Sequence, residues 1–322
     1  MKPLHLSHLS LTQVARFVPP TAWFGVSAIF HYLGPSFAVL LFPSIGVLGV
    51  AWFRIASAAL IFAPVTRPWK TWRQADGRTR LLLIGLGVCL AVMNTAFYLA
   101  LDRLPMSLVA AMEFGGTIAV ALYGLRSRRN LSALVLAVLG IVILIDIKWA
   151  TDLPGLCWAA LNATLFVIYI VLGHKAAAGG ASNGVEYLGA AMAIAFVIVM
   201  PIGIIQAVAA FGAPELVLAG IAVGLCSSVV PYVADQMAMS RLPRATFALY
   251  LAILPATATL IAAIMLAQVP TLQDIVGIAL VMIAIAIHKP PRSATDAGHM
   301  SGGTDDDCTT MQPRQKKSGA AG

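Results

Sequence analysis

Two ionisable side chains stand where such groups are costly. Arg54 lies within the apolar run 44–64 and Glu113 within the run 105–122. A charge at the centre of a membrane-spanning helix costs about 2.5 to 3.5 kcal/mol on insertion scales, so it usually faces a cavity or a partner. Counted from the ends of their runs at 1.5 Å per residue, both fall roughly 12 to 15 Å deep, at one level near the midplane. A guanidinium there can hold a carboxylate, while a carboxylate can meet an amine or carry a proton. A substrate or proton site fits these residues, and so does a structural ion pair that never touches a ligand.

Other polar residues recur at helical spacing, which places them on shared faces. Glu113, Gly116 and Thr117 form one stripe. Ser27 and His31 stand four apart, as do Asn94 and Tyr98, and Thr246 and Tyr250; Ser228, Pro231, Tyr232 and Asp235 share another face. Hydrogen bonding between helices is the commoner use of such residues. His31 could relay protons or sit neutral against a neighbouring helix. Asp235, far along its run, fits an ion pair with Arg241 or plain solvation. The candidate substrate-binding or coupling set is therefore Glu113, Arg54, Asn94, Tyr98, His31, Tyr232, Tyr250 and Thr117.

The elements that must position these residues are read from composition. The chain is 60% hydrophobic and 11% charged, with mean hydropathy +0.88, against roughly 25% charged residues in soluble domains. Apolar runs near the length of one bilayer-spanning helix, about 20 residues, fall at 23–42, 44–64, 80–101, 105–122, 131–147, 152–173, 183–208, 214–239, 243–266 and 271–288. The first division rests on Pro43 and on length. With the N-terminus inside, 18 of the 21 basic residues fall on the cytoplasmic side, leaving Arg54 within a span and Arg103 and Lys148 outside. That matches the positive-inside rule. The net charge of +8 thus reflects membrane orientation rather than nucleic-acid binding.

Residues 1–20 read as a cytoplasmic lead-in without the apolar core and cleavage site of a signal peptide. Residues 290–322 turn to Pro, Ser, Gly and Asp, the composition of a disordered tail. Between them, Arg103-Leu104-Pro105 and Arg241-Leu242-Pro243 each join the third and fourth spans of a five-span unit. Two units with an odd number of spans have opposite orientations, an architecture recurring in secondary transporters. The expected fold is an all-α membrane protein of ten transmembrane helices in two inverted five-helix repeats, 21–150 and 151–289. The four cysteines show no metal-ligand spacing. Walker, HExxH, GxSxG and Rossmann patterns do not occur, so no enzyme activity, cofactor or metal is expected and an ion gradient is the remaining energy source.

The stretch Met93-Asn94-Thr95-Ala96-Phe97-Tyr98-Leu99-Ala100 carries a family likeness. So do the run from Leu104-Pro105 through Ala111-Met112-Glu113-Phe114 to Leu122, the triplet Val230-Pro231-Tyr232, and Arg241-Leu242-Pro243-Arg244-Ala245-Thr246-Phe247. Over roughly residues 20–288 the chain resembles the drug/metabolite transporter superfamily, EamA type, and within it the threonine/homoserine exporter branch. It departs from that branch at Leu254-Pro255, where the branch tends to carry Glu-Pro. The resemblance implies a carrier of the bacterial inner membrane that exports a small amino acid by alternating access, with both termini cytoplasmic. Protons are the expected coupling ion, with Glu113 as the titrating group, and a homodimer stays open. Export of another metabolite or a cationic compound, or a non-transporting scaffold, would share the same layout.

Overall fold

The computed structural model describes residues 19–124, 127–144, 152–177, 181–239 and 253–287, and apart from short links these are helical throughout. In chain order the helices are α1 (Pro20–Ile45), α2 (Val47–Thr66), α3 (Pro68–Gln74), α4 (Gly77–Leu101), α5 (Met106–Gly124) and α6 (Arg128–Leu144). They continue with α7 (Leu153–Ala177), α8 (Ala181–Ala207), α9 (Pro214–Gly224), α10 (Val230–Met239), α11 (Leu254–Leu266) and α12 (Leu272–Ile287). Among the described residues six stretches are long and apolar enough to cross a bilayer, and Leu254–Leu266 and Leu272–Ile287 are shorter apolar helices. Leu60, Val197, Ile205, Leu218 and Ile264 are each more than 60% exposed. Apolar surface on that scale is satisfied by lipid rather than water. Residues 1–18 of the lead-in, the tail, and residues 240–252 with Arg241, Thr246 and Tyr250 lie outside the described residues.

The chain turns between the first two spans at Gly46 rather than at Pro43. Helix α1 continues through both Pro35 and Pro43, as membrane helices can when neighbours meet the freed backbone groups. Gly46 takes φ +83°, and a Cβ there would strike the Gln206 side chain. Gln206 on α8 has a purpose at that point: its Oε1 accepts from the amides of Leu48 (2.9 Å) and Gly49 (3.2 Å). It thus satisfies the unpaired N-terminal donors of α2 from the far half of the chain. The link between α2 and α4 contains the short helix α3. Arg67, in the left-handed region at φ 47°, breaks the chain's direction between α2 and α3.

Packing joins helices distant in sequence. α2 lies on α8, α6 on α12, α4 on both α7 and α8, α5 on α7 and α11, and α1 on α9, α10 and α11. α6 and α12 run antiparallel, since Arg129 Nε donates to the Ile287 carbonyl and Gln273 Nε2 to the Ile143 carbonyl, each at 2.6 Å. Between these ties the backbones nearly touch at Gly140 and Gly277. A Cβ on Gly140 would come within 2.7 Å of the Gly277 carbonyl oxygen. Small residues permit such crossings where no hydrophobic force separates helix from lipid.

Because backbone, not a flexible side chain, fills that space, Gly140→Ala is expected to destabilise the protein by about 1 to 3 kcal/mol, the usual cost of overpacking. Gly173, with nothing within 4 Å of its Cβ position, should tolerate alanine. Thermal unfolding of both variants in detergent checks the contrast.

Candidate functional site

The centre of the bundle is built around Arg54 on α2, which is 7% exposed. Its Nε donates to Ser228 Oγ at 3.1 Å and its Nη2 to the Ser227 carbonyl at 3.2 Å. Both serines belong to a π-helical turn, Leu225–Val229, set between α9 and α10. Such turns reset the backbone ladder locally and often mark functional sites. The guanidinium carbon lies 5.3 Å from the Tyr98 ring centroid and 5.9 Å from that of Phe97, within cation–π reach. Tyr98 in turn places its hydroxyl 3.5 Å from Ser227 Oγ. Arg54 Nη1 is buried with no hydrogen-bond partner among the described residues.

Two close approaches clamp the π turn. A Cβ on Gly34 of α1 would overlap Ser227, and one on Gly224 would overlap Ser57 and come within 2.9 Å of the Arg54 carbonyl oxygen. The Ser57 hydroxyl donates to the Phe53 carbonyl at 2.6 Å, a bond within its own helix.

Glu113 on α5 is 5% exposed and accepts a hydrogen bond from Asn162 Nδ2 of α7 at 3.0 Å. One turn further along, a Cβ on Gly116 would sit 3.2 Å from the Ala163 side chain, so α5 and α7 approach closely beside the carboxylate. Among the described residues the one ion pair is Arg103–Asp152, at 3.5 Å. Arg54 and Glu113 are therefore not in direct contact. Each nonetheless lies within electrostatic reach of the other, with Tyr32 in reach of Glu113 and His31 in reach of Arg54. The Tyr32 hydroxyl, like Arg54 Nη1, is buried without a hydrogen-bond partner among the described residues.

The other expected site residues are placed unevenly. Tyr98 is fully buried at the guanidinium. Asn94, one turn earlier on α4, is buried but spends its Nδ2 on the Leu90 carbonyl of its own helix at 2.7 Å. His31 is half-buried on α1, edge-on to Tyr32 at 5.3 Å between centroids. Tyr232 is half-buried on α10, one turn beyond the serines. Thr117 lies on α5, but its side chain and that of Asp235 fall outside the described residues, as does Tyr250. Asn162 and the Ser227 carbonyl are additions. Asn162 is a polar residue inside an apolar run and was open to the same cost argument that singled out Glu113. A carbonyl recruited by a π turn carries no such signal.

At one end of the bundle a cleft of about 440 Å³ opens between residues 101–107 and 259–274, with Asp102, Arg103, Ser107, Thr259, Gln273 and Asp274 on its walls. It is separate in its residues from the buried centre.

Known proteins share this chain's pattern. The model of the EamA-like transporter family matches residues 153–288. The threonine/homoserine exporter RhtA of Escherichia coli (strain K12) is 34% identical over 255 residues, which is 78% of this chain and 84% of the relative. That of Salmonella typhimurium (strain LT2) is 33% identical over 254 residues, with the same coverage. The chain belongs to the EamA-like transporter family. Within the drug/metabolite transporter superfamily it falls in the RhtA-like branch, so it is a multi-pass membrane transporter and not an enzyme. A protein of known crystal structure aligns with TM-score 0.53 and 18% identity over 83% of this chain and 96% of its own length, a likeness of fold alone.

The Asn162–Glu113 bond is testable without a transport assay. Asn162→Leu leaves a buried carboxylate unmatched and should cost about 1 to 3 kcal/mol. In the Glu113→Leu background the same change should cost distinctly less. A double-mutant cycle by thermal unfolding in detergent checks the coupling.

Proposed function

We propose that this protein exports small amino acids, threonine or homoserine among them, across the bacterial inner membrane by proton-coupled alternating access. The observation that carries this reading is the paired, unjoined charge at the centre. Arg54 Nη1 has no hydrogen-bond partner among the described residues, and Arg54 is close enough to Glu113 to feel its charge without contacting it. A zwitterion with a carboxylate and an ammonium a few bonds apart suits such a pair: the carboxylate to Arg54, in the charge-assisted geometry that guanidinium favours, and the amine to Glu113. Glu113 would take up the coupling proton when the amine is absent. The names of the two RhtA relatives support the substrate class.

The architecture proposed is two inverted five-helix units, 21–150 and 151–289. Equivalent packing supports it. Counting α9 and α10 as one span and leaving out the short α3, each span has a counterpart five spans on. Under that exchange α2 on α8, α5 on α11 and α6 on α12 each map onto themselves, while α1 on α10 maps to α7 on α4, and α1 on α11 to α7 on α5. The segment 153–288 that the family model matches coincides with the second unit. With both termini cytoplasmic, as the basic residues favour, the cleft at Asp102, Arg103 and Asp274 is the outer mouth.

Export of a different metabolite is the second reading. It is favoured by Leu254, buried at the start of α11, where a carboxylate would otherwise stand.

The test is efflux of preloaded radiolabelled threonine and homoserine from cells or vesicles, with and without an uncoupler. Saturable efflux that the uncoupler stops is expected. Glu113→Gln should lower the rate about tenfold or more, the scale of a lost charged hydrogen bond, with insertion unchanged. Normal export by well-inserted Glu113→Gln protein overturns the role of Glu113. No efflux of either amino acid from correctly inserted protein moves the substrate to the second reading.

A further inference from the structure

The turn between α2 and α4 concentrates positive charge without answering it. Arg67, Lys70, Arg73, Arg78 and Arg80 are all exposed, and none is in an ion pair among the described residues. The one acid in this stretch, Asp76, serves mainly as a helix cap. It caps α4 by accepting from the Thr79 amide at 3.0 Å, and hydrogen bonds from the Thr79 side chain and backbone, with the charge of Arg78 adding to them, hold its carboxyl below the usual range. Five cations within 14 residues repel one another, and an anion placed among them would relieve that repulsion.

The surroundings indicate what supplies it. Helix α3 packs on α8 with Thr71 buried, and it leaves Trp69 at 52% and Trp72 at 38% exposure. Arg80 fixes the arrangement, its Nε donating to the Trp72 carbonyl at 3.3 Å and its guanidinium carbon lying 5.6 Å from the indole centroid. Leu81 follows at 72% exposure. Exposed indoles and an apolar edge beside cations match the boundary between acyl chains and headgroups, where tryptophan concentrates. A free phosphate ion would gain nothing from the indoles.

We propose that the segment Arg67–Arg80 is a binding site for the phosphate headgroup of an acidic phospholipid, phosphatidylglycerol in the simplest case. Lys70 and Arg73 hold the phosphate, while Trp69 and Trp72 lie against the glycerol and upper acyl chain. The site is distinct from the transport centre and needs no assumption about the substrate. Clustered Lys and Arg beside a membrane helix contribute on the order of fivefold in affinity per charge at an anionic surface.

The experiment is native mass spectrometry of the purified protein in neutral detergent, titrated with phosphatidylglycerol or with phosphatidylcholine. Because it is done in solution, its result is independent of membrane orientation and of transport. Preferential retention of phosphatidylglycerol is expected, undisturbed by millimolar inorganic phosphate. Lys70→Gln with Arg73→Gln should weaken it about 25-fold, while Lys70→Arg with Arg73→Lys, and Arg128→Gln elsewhere on the surface, should preserve it. Should the double variant fail to fold, Lys70→Gln alone reads the expected fivefold loss. Equal retention of phosphatidylcholine, undiminished binding by the charge-removing variants, displacement by free phosphate, or equal loss in Arg128→Gln would each overturn the proposal.

Discussion

The buried guanidinium of Arg54 constrains the centre of this bundle more than any other group. A cation removed from water must be met by oxygens or aromatic faces, and inside a membrane helix most carbonyl oxygens are already used by their own ladder. Here the π turn at Leu225–Val229 breaks the ordinary register, and the Ser227 carbonyl and Ser228 hydroxyl face Arg54. Bringing that turn within reach requires α1 and α2 to lie almost against it, which Gly34 and Gly224 permit. Tyr98 then stacks beside the cation and touches the same serine. Four spans from opposite ends of the chain thus converge on one side chain.

The same economy governs the periphery. Helix association in lipid depends on close contact and hydrogen bonds, because lipid is as apolar as the helices themselves. Glycines supply the contact where Gly87 meets Ile194, Gly203 meets Trp52, Gly220 meets Phe53, and Gly140 meets Gly277. Hydrogen bonds from long polar side chains tie the ends: Gln206 caps α2, Gln268 accepts from the Met106 amide at 3.2 Å, and Gln273 and Arg129 reach carbonyls across α6 and α12. All of these ties join residues more than 120 positions apart, so each half of the chain completes backbone bonding in the other.

How far this was legible in the sequence follows from what each residue's cost reveals on its own. Arg54 and Glu113 stood out because a charge in an apolar run is expensive wherever its partners come from. The helices and the family likeness were equally readable, since length, hydropathy and local motifs need no tertiary information. Pro43 misled because proline breaks soluble helices, whereas here the turn is decided three residues later by the positive φ of Gly46 and the Gln206 side chain behind it. Asn162 was not singled out, and its role shows only where α5 and α7 meet at Glu113. The π turn had no signature at all. Its sequence, Leu225-Cys226-Ser227-Ser228-Val229, is ordinary, and the demand that shapes it comes from Arg54, more than 170 residues away.

That Arg54 and Glu113 do not touch bears directly on the proposed transport. A closed ion pair would neutralise both charges and leave a ligand to compete with a bond already made, at the full cost of separating buried opposite charges. Instead each charge is held by neutral groups, Arg54 by two serines and two aromatic rings, Glu113 by Asn162. Such partners offset part of the desolvation cost while leaving the charges unspent. On the proposed reading, a zwitterion completes both at once, so the strongest interactions form only with a substrate carrying both signs at the right separation. An amine or a carboxylate alone would satisfy one charge and leave the other buried and incomplete, which is how a site built on two opposite charges can discriminate by chemistry rather than by size.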